Sequence, residues 1–234
     1  MGPRSLILFD FNGVLVDDET FHFGALRETV ARLGIGLNRR DYDNRYMTGD
    51  DSYALSAVLR DAGIRPGTDE LRALVRRKRS AYRRLVGGAP TIEPRIVRLV
   101  RSLSRRSTLG IVSSGARREI EASLAAARLR RAFATIVTAD DVSRPKPFPD
   151  PYRRALWRLR GIGGDRPEEV LVVEDSAGGI ASAREAGVRT ILGVATTRPA
   201  AVLRRAGASR VIRTLAEIGA SEMRDLVRSA RVAS

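Results

Sequence analysis

Short apolar runs alternate with longer stretches of helical periodicity along most of the chain. The apolar runs are too short for helices and are predicted to be buried strands at residues 6–11, 109–112, 134–138, 170–173, 190–194 and 210–212. Helical periodicity lies between them at residues 96–103, 117–127, 151–159, 177–186 and 199–206. Strands that alternate with helices are typical of a parallel sheet covered by helices on both faces. We therefore predict an α/β fold.

The segment from residue 17 to residue 87 breaks this rhythm. It contains no convincing strand, and it has helical patterns at residues 20–33, 39–46, 52–62 and 69–86. Glycine-rich turns separate these patterns. We interpret residues 17–87 as an inserted all-helical cap domain, and residues 1–16 and 88–234 as a Rossmann-like core with a parallel sheet.

The composition excludes several classes of site. The chain has 234 residues with no cysteine and one histidine, which excludes disulfides, a cysteine nucleophile and a multi-histidine metal site. No apolar run reaches the roughly 18–20 residues that a membrane span needs. The first apolar run meets Asp10 too early for a signal peptide. We expect a cytoplasmic protein without a membrane partner.

The net charge of +15 is unusual, because 42 basic residues stand against 27 acidic ones. Only Lys78 and Lys146 are lysines, so the other 40 basic residues are arginines. Arginine pairs are dispersed along the chain, and only residues 76–84 form a dense patch. Dispersed arginines favour the interpretation that they lie on solvated helix faces over that of a nucleic-acid site. The electrostatic field of the net positive charge should still attract anionic substrates. We expect a monomer or dimer, and nucleic acid is a disfavoured partner.

Polar side chains follow three of the predicted strands, and one lysine lies in a proline-flanked turn. These residues are Asp10, Asn12, Ser113, Ser114, Gly115, Lys146, Glu174 and Asp175. Ligands of an open parallel sheet bind beyond the carboxyl ends of its strands. Each residue alone could be a helix cap or a solvated turn residue. Together, opposed acids and a cation suit a phosphate group held on Mg²⁺.

Four motifs in this order resemble the haloacid dehalogenase superfamily of phosphotransferases. Residues 10–15 resemble its Asp-x-Asp-Gly motif, and Ser113 and Lys146 match its second and third motifs. Glu174 and Asp175 match the variant of its fourth motif that has adjacent acids. The resemblance covers nearly the whole chain, and a helical cap after the first motif is similar to the beta-phosphoglucomutase and phosphoglycolate phosphatase branch.

The resemblance implies a role for each motif residue at the phosphoryl group. Asp10 is expected to attack phosphorus and form an aspartyl-phosphate. Ser113, with backbone N–H groups near Ser114 and Gly115, is expected to hold phosphate oxygens. Lys146 is expected to neutralise charge between the nucleophile and the phosphoryl group.

The resemblance also implies a Mg²⁺ site. Its expected ligands are Asp10, the backbone carbonyl of Asn12, and Asp175. Glu174 is expected to be either a ligand or the partner of a ligand.

Asn12 departs from the family pattern, which has an aspartate there that is thought to protonate the leaving oxygen and later activate water. An amide cannot exchange a proton usefully at neutral pH. The loss of general acid–base catalysis lowers the rate by about 10²–10⁴-fold, which raises the activation free energy by roughly 3–5.5 kcal/mol. Four explanations stay open: a naturally slow phosphatase, different chemistry, a substitution made to trap a complex, or a non-catalytic binder. Phosphonate hydrolysis would need a cap lysine, and Lys78 is the one candidate.

The cap is expected to select the substrate. Asp50 and Asp51 would repel the second phosphate of a sugar-phosphate mutase substrate, although both acids could simply begin the next helix. His22 matches a histidine common in this branch and is predicted to bind substrate. It could equally be a partly buried helix residue.

These observations predict a Mg²⁺-dependent phosphatase of small phosphorylated metabolites, slowed by Asn12. Three alternatives stay open: a catalytically impaired member that binds a phosphorylated ligand, a phosphosugar mutase, and a basic nucleic-acid-associated module.

Overall fold

A computed structural model describes residues 5–47, 51–88, 90–162 and 165–232. The chain divides into two compact units, Met1–Asp17 with Thr91–Ser234 and, separately, Asp18–Pro90. We call the first the core unit and the second the cap unit.

The secondary structure alternates strands and helices in the core unit and is helical in the described part of the cap unit. The strands are β1 Ser5–Phe9, β2 Ser107–Val112, β3 Thr135–Val137, β4 Leu171–Glu174, β5 Thr190–Val194 and β6 Arg210–Ile212. The helices are α1 Glu19–Ala31, α2 Arg39–Asp41, α3 Asp51–Asp61, α4 Thr68–Val86, α5 Pro94–Ser104, α6 Arg117–Ala126, α7 Asp150–Arg158, α8 Ala177–Glu185, α9 Ala200–Ala206 and α10 Ala220–Val232. The α/β fold with a helical cap is therefore confirmed.

All neighbouring strands of the sheet are parallel, in the order β3-β2-β1-β4-β5-β6. Ile7 of β1 lies opposite Leu109 of β2 and Leu171 of β4. Because β1 is central and the strands run in one direction, the carboxyl ends of β1, β2 and β4 meet at one edge.

Alternate residues of β1 point to two separate hydrophobic cores, as the period of a strand requires. Ile7 and Phe9 pack in one core with buried residues of α5, α6 and α10. Leu6 and Leu8 pack in the other with residues of α7, α8 and α9. Near-continuous apolar strands therefore reflect burial on both faces.

The structure differs from the predicted elements in three places. Helix α10 was not predicted, although Met223 and Val227 give it a buried face in the first core. Strand β1 ends at Phe9 because a tight turn follows, in which the Val16 N–H donates to the Phe11 carbonyl. The predicted helix at 39–46 is α2 continued by a π-helical turn over Tyr42–Tyr46.

Helix α4 carries the densest arginine patch on one face and a buried lysine on the other. Lys78 lies on its buried face with Leu74 and Tyr82. Arg76 and Arg77 are exposed on its other side, as dispersal over solvated helix faces predicts. Among the described residues, no helix has the length and apolar character to cross a bilayer.

Candidate active site

Asp10 and Ser113 lie at the carboxyl edge of the sheet because backbone hydrogen bonds extend the strand pairing there. The Asp10 N–H donates to the carbonyl of Val173 in β4 over 2.9 Å. The Ser113 N–H donates to the carbonyl of Val137 in β3 over 2.9 Å. The first and second motifs are thus fixed by neighbouring strands.

Lys146 joins three parts of the core unit through its ammonium group. Its Nζ donates to Asp10 Oδ1 over 2.7 Å, to Glu174 Oε1 over 2.5 Å and to the Val112 carbonyl over 2.8 Å. Its side chain is only 8% exposed. An ammonium donates three hydrogen bonds, so these contacts use its full capacity.

Glu174 is surrounded by hydrogen-bond donors and is completely buried. Besides Lys146, Oε1 accepts from the Tyr152 hydroxyl over 2.9 Å. Oε2 accepts from the Asp175 N–H, and from both the N–H and the hydroxyl of Ser176, over 3.1–3.3 Å. A carboxylate with this many donors is better suited to orient Lys146 than to bind a metal directly.

Asp175 is positioned by Thr197 and by the absence of a side chain at Gly13. The Thr197 hydroxyl donates to Asp175 Oδ2. Gly13 has a φ of +73°, and a Cβ there would overlap the Asp175 carboxylate. The glycine of the first motif is therefore required both by its backbone conformation and by this close approach.

Burial and mutual repulsion disfavour the charged forms of two carboxylates. Burial raises the pKa of Asp10 to about 7, although Lys146 opposes the shift. Burial, and then the charges of Asp10 and Glu174, raise the pKa of Asp175 well above its usual range. Burial alone would lower the pKa of Lys146, but Asp10 and Glu174 outweigh it and raise that pKa. The lysine therefore stays an ammonium.

The donor set and charge fit a divalent cation. One oxygen each from Asp10, Glu174 and Asp175 lies within 4.8 Å of the others. When ionised, these carboxylates and Lys146 leave two net negative charges in a buried site. Such an excess is costly unless a cation offsets it. Oxygen donors alone are typical of Mg²⁺ sites.

The loop after β2 lies beside Asn12. The Gly115 N–H donates to the Ser113 hydroxyl over 3.0 Å. A Cβ at Gly115 would be 2.9 Å from Asn12 Oδ1 and 3.3 Å from the Ser113 hydroxyl. Asn12, Ser113 and Gly115 thus share one corner of the site. Ser114 is exposed next to them.

The cap unit contains a separate polar cluster around His22. Lys78 Nζ lies 2.9 Å from His22 Nδ1 and forms an ion pair with Asp51. His22 Nε2 lies 3.3 Å from Asp18 Oδ2, and its ring stacks on Tyr82 at 4.3 Å. Because an ammonium only donates, Nδ1 accepts and Nε2 carries the proton. Both ring nitrogens of the predicted substrate-binding histidine are therefore engaged inside the cap unit.

The predicted cap acids have different outcomes. Asp51 begins α3 and is paired with Lys78 and Arg79, so its charge is neutralised within the cap unit. Asp50 lies outside the described residues. Asp51 is therefore not available to repel the second phosphate of a sugar-phosphate mutase substrate.

Sequence reasoning missed Thr197 and Tyr152. Thr197 follows β5, so the rule applied to the other strand ends could have found it. Tyr152 lies on the buried face of α7, where its position predicted only core packing. The contact of its hydroxyl with Glu174 joins residues 22 positions apart, and no local pattern indicates it.

Comparison with known proteins identifies the family of the chain. The model of the haloacid dehalogenase-like hydrolase family matches residues 7–193. Protein CbbY of Rhodobacter capsulatus is 30% identical over 193 residues, which cover 80% of this chain and 83% of that protein. A phosphorylated carbohydrates phosphatase of Thermotoga maritima is 29% identical over 189 residues, covering 80% and 84% respectively.

A solved structure extends the match to most of the fold. The crystal structure of CbbY from Rhodobacter sphaeroides in complex with phosphate is similar with a TM-score of 0.73 and 29% identity. The match covers 92% of this chain and 96% of that one. The predicted family is confirmed, and with it the prediction of an enzyme. This chain belongs to the haloacid dehalogenase-like hydrolase family.

Proposed function

We propose that this protein is a Mg²⁺-dependent phosphatase of small phosphorylated metabolites that carries the phosphoryl group on Asp10. The observation that carries the proposal is the convergence of Asp10, Asp175 and Lys146 at one buried edge of the sheet. The names of relatives such as the phosphorylated carbohydrates phosphatase support the substrate class.

In the first step, a carboxylate oxygen of Asp10 attacks phosphorus and the bond from phosphorus to the leaving oxygen breaks. Lys146 orients Asp10 and offsets charge on the phosphoryl oxygens as they approach. The Ser113 hydroxyl and N–H groups of its loop would hold those oxygens. The departing oxygen takes a proton from solvent or from a group other than Asn12, because an amide has no proton to give at neutral pH.

In the second step, water attacks phosphorus and the bond to Asp10 breaks, which releases phosphate and restores the carboxylate. The proton of that water passes to solvent, because Asn12 cannot accept it. Both steps therefore proceed without general acid–base help from position 12. We propose that this slows both steps and gives the phosphorylated form of Asp10 a long lifetime.

Mg²⁺ would be held by Asp10, Asp175 and the backbone carbonyl of Asn12. It supplies positive charge to the phosphoryl group when bound. Glu174 keeps Lys146 in place, and Thr197 keeps Asp175 in place, so each residue acts through the partner that it touches.

The test is release of phosphate from a panel of phosphate esters, with and without Mg²⁺. We expect Mg²⁺-dependent turnover by the native chain and none above background by Asp10→Asn. Asn12→Asp tells a slow enzyme from an inactive one. If neither the native chain nor Asn12→Asp hydrolyses any ester, the phosphatase proposal is wrong.

A second candidate is a phospho-ligand binder, and Asn12 is the observation that favours it. In that case the native chain and Asn12→Asp bind a phosphate ester with similar affinity in calorimetry, and neither releases phosphate. Turnover by the native chain excludes this candidate.

A further inference from the structure

An open polar cavity lies at the surface of the core unit, on the exposed side of α7. It has a volume of about 390 Å³ and is lined by Val142, Ser143, Arg144, Asp150, Arg153, Arg154 and Trp157. Its volume is within the range of roughly 300–1,000 Å³ for small-molecule sites. None of these residues has a role in the proposed phosphatase.

One face of α7 is buried in the core unit and the other is exposed. Tyr152 points to the buried side, where its hydroxyl donates to Glu174. Arg153, Arg154 and Trp157 are exposed and line the cavity. The cavity is therefore distinct from the phosphoryl site, although one helix contributes to both.

The lining of the cavity has an excess of positive charge. Asp150 is its one carboxylate, and Arg144 pairs with both carboxylate oxygens over 3.1 and 3.2 Å. Arg153 donates to the Glu185 carbonyl over 3.2 Å, which fixes the side chain without neutralising it. Within the part of the chain that the structure describes, Arg153 and Arg154 form no ion pair with a carboxylate. Two uncompensated guanidinium groups suit a phosphate group.

The cavity also presents an aromatic surface. Trp157 is 56% exposed, which is unusual for so large an apolar side chain. The Arg154 guanidinium lies over the indole ring, 5.0 Å from its centre, so a cation already contacts the aromatic surface. An exposed indole next to unpaired guanidinium groups suits a ligand that combines a flat ring with an anion.

We propose that this cavity binds a nucleoside monophosphate, with the base stacked on Trp157 and the phosphate held by Arg153 and Arg154. The site is separate from Asp10 and Lys146, and the proposal does not depend on phosphatase activity.

The experiment uses Trp157 as its own reporter, since it is the single tryptophan of the chain. Fluorescence of the full-length protein is titrated with AMP, with adenosine and with inorganic phosphate. We expect saturable quenching by AMP, and binding of adenosine or phosphate alone to be weaker by roughly tenfold or more. No saturable change with AMP, or phosphate binding as tightly as AMP, contradicts the proposal.

A double variant identifies the site. In Arg153→Ala/Arg154→Ala, calorimetry is expected to show AMP affinity reduced by roughly tenfold or more, with turnover of a phosphate ester unchanged. The matched control is Arg105→Ala/Arg106→Ala, which removes the same charge from an exposed pair outside the cavity. Unchanged AMP affinity in the first variant, or an equal loss in the control, overturns the proposal, because AMP would then bind elsewhere or through net charge alone.

Discussion

The core unit and the cap unit each contain one of the chain's two lysines, against forty arginines. Both lysines are buried and paired with acids: Lys146 with Asp10 and Glu174, and Lys78 with Asp51. An ammonium is a compact charge on a flexible stem, whereas a guanidinium is a planar fork of donors. The described arginines that form ion pairs are themselves more exposed than either lysine, from 27% for Arg158 upward.

The two lysine clusters differ in their charge balance. Around Lys78, the ammonium and Arg79 match the carboxylates of Asp51 and Asp18. Around Lys146, three carboxylates stand against one ammonium. The charges of the cap cluster balance one another, whereas the core cluster, with its carboxylates ionised, has an excess of negative charge that a bound cation would offset. From this difference we predict that Lys146 supports chemistry and that Lys78 supports the fold.

The largest effect is expected from adding a carboxyl group to the core cluster. Asn12→Asp should raise kcat/KM for alkyl phosphate esters by about 10²–10⁴-fold, because a general acid–base group is restored. The gain in kcat/KM, which reports the first step, should be smaller for aryl phosphates, whose leaving groups depart without a proton. Steady-state kinetics measure both. Asn44→Asp, at an exposed position of the cap unit, is the control. Equal gains in both variants would show that added charge, and not proton transfer, is responsible.

Loss of the cap lysine is expected to affect stability. Lys78→Met leaves Asp51, whose side chain is 19% exposed, with Arg79 as its remaining ion-pair partner, and the loss of one partner from such a group typically costs about 1–3 kcal/mol. Urea unfolding measures the loss, and hydrogen exchange should locate it in α1 and α4. An unchanged unfolding midpoint would show that the cap cluster does not stabilise the fold.

Loss of the core lysine is expected to affect catalysis. Lys146→Met should lower kcat/KM by about 10²–10³-fold, the usual cost of removing one hydrogen-bond donor that stabilises a transition state. Lys146→Arg should not restore the rate, because the guanidinium lacks the compact shape that three close acceptors require. Full activity in the arginine variant would contradict the distinction between the two cations.

The smallest expected effect is on stability, and it comes from Asp141, which forms ion pairs with two arginines. Asp141 accepts from Arg117 and Arg158 and is 14% exposed. Although burial opposes them, hydrogen bonds from Thr138, Arg158 and Arg117 lower the pKa of Asp141 below its usual range. The contribution of the Asp141 charge to the free energy of unfolding is therefore complete above the unfolded pKa of about 3.9. It is lost as the pH falls below that value.

Asp141→Asn tests this dependence. It should cost roughly 1 kcal/mol at neutral pH, and the difference from the native chain should shrink in acid. Thermal unfolding at several pH values measures it. A difference that does not change with pH would show that the charge of Asp141 contributes nothing.

The sequence predicted the parts of this fold that follow from regular patterns. Strand positions could be predicted because apolar runs mark strands buried on both faces. The convergence of Asp10, Ser113 and Asp175 could be predicted because parallel strands end at one edge. The catalytic and metal-binding roles of these residues stay predictions.

Contacts between distant side chains could not be predicted. The cap cluster joins His22 and Lys78, which are 56 residues apart, and Lys78 sits in a helix whose composition indicates an arginine-rich surface. Contacts of this kind depend on how elements pack, which periodicity alone does not describe. Helix α10 is a different case, because Met223, Leu226 and Val227 stand at helical spacing and their periodicity could have predicted it.

The most direct test of the account is to find the phosphoryl group on the enzyme. The native chain is mixed with Mg²⁺ and an aryl phosphate, quenched in acid and digested for mass spectrometry. We predict one phosphate on the peptide that contains Asp10, at higher occupancy in the native chain than in Asn12→Asp. Turnover without phosphate on that peptide, or phosphate on a different residue, would contradict the account.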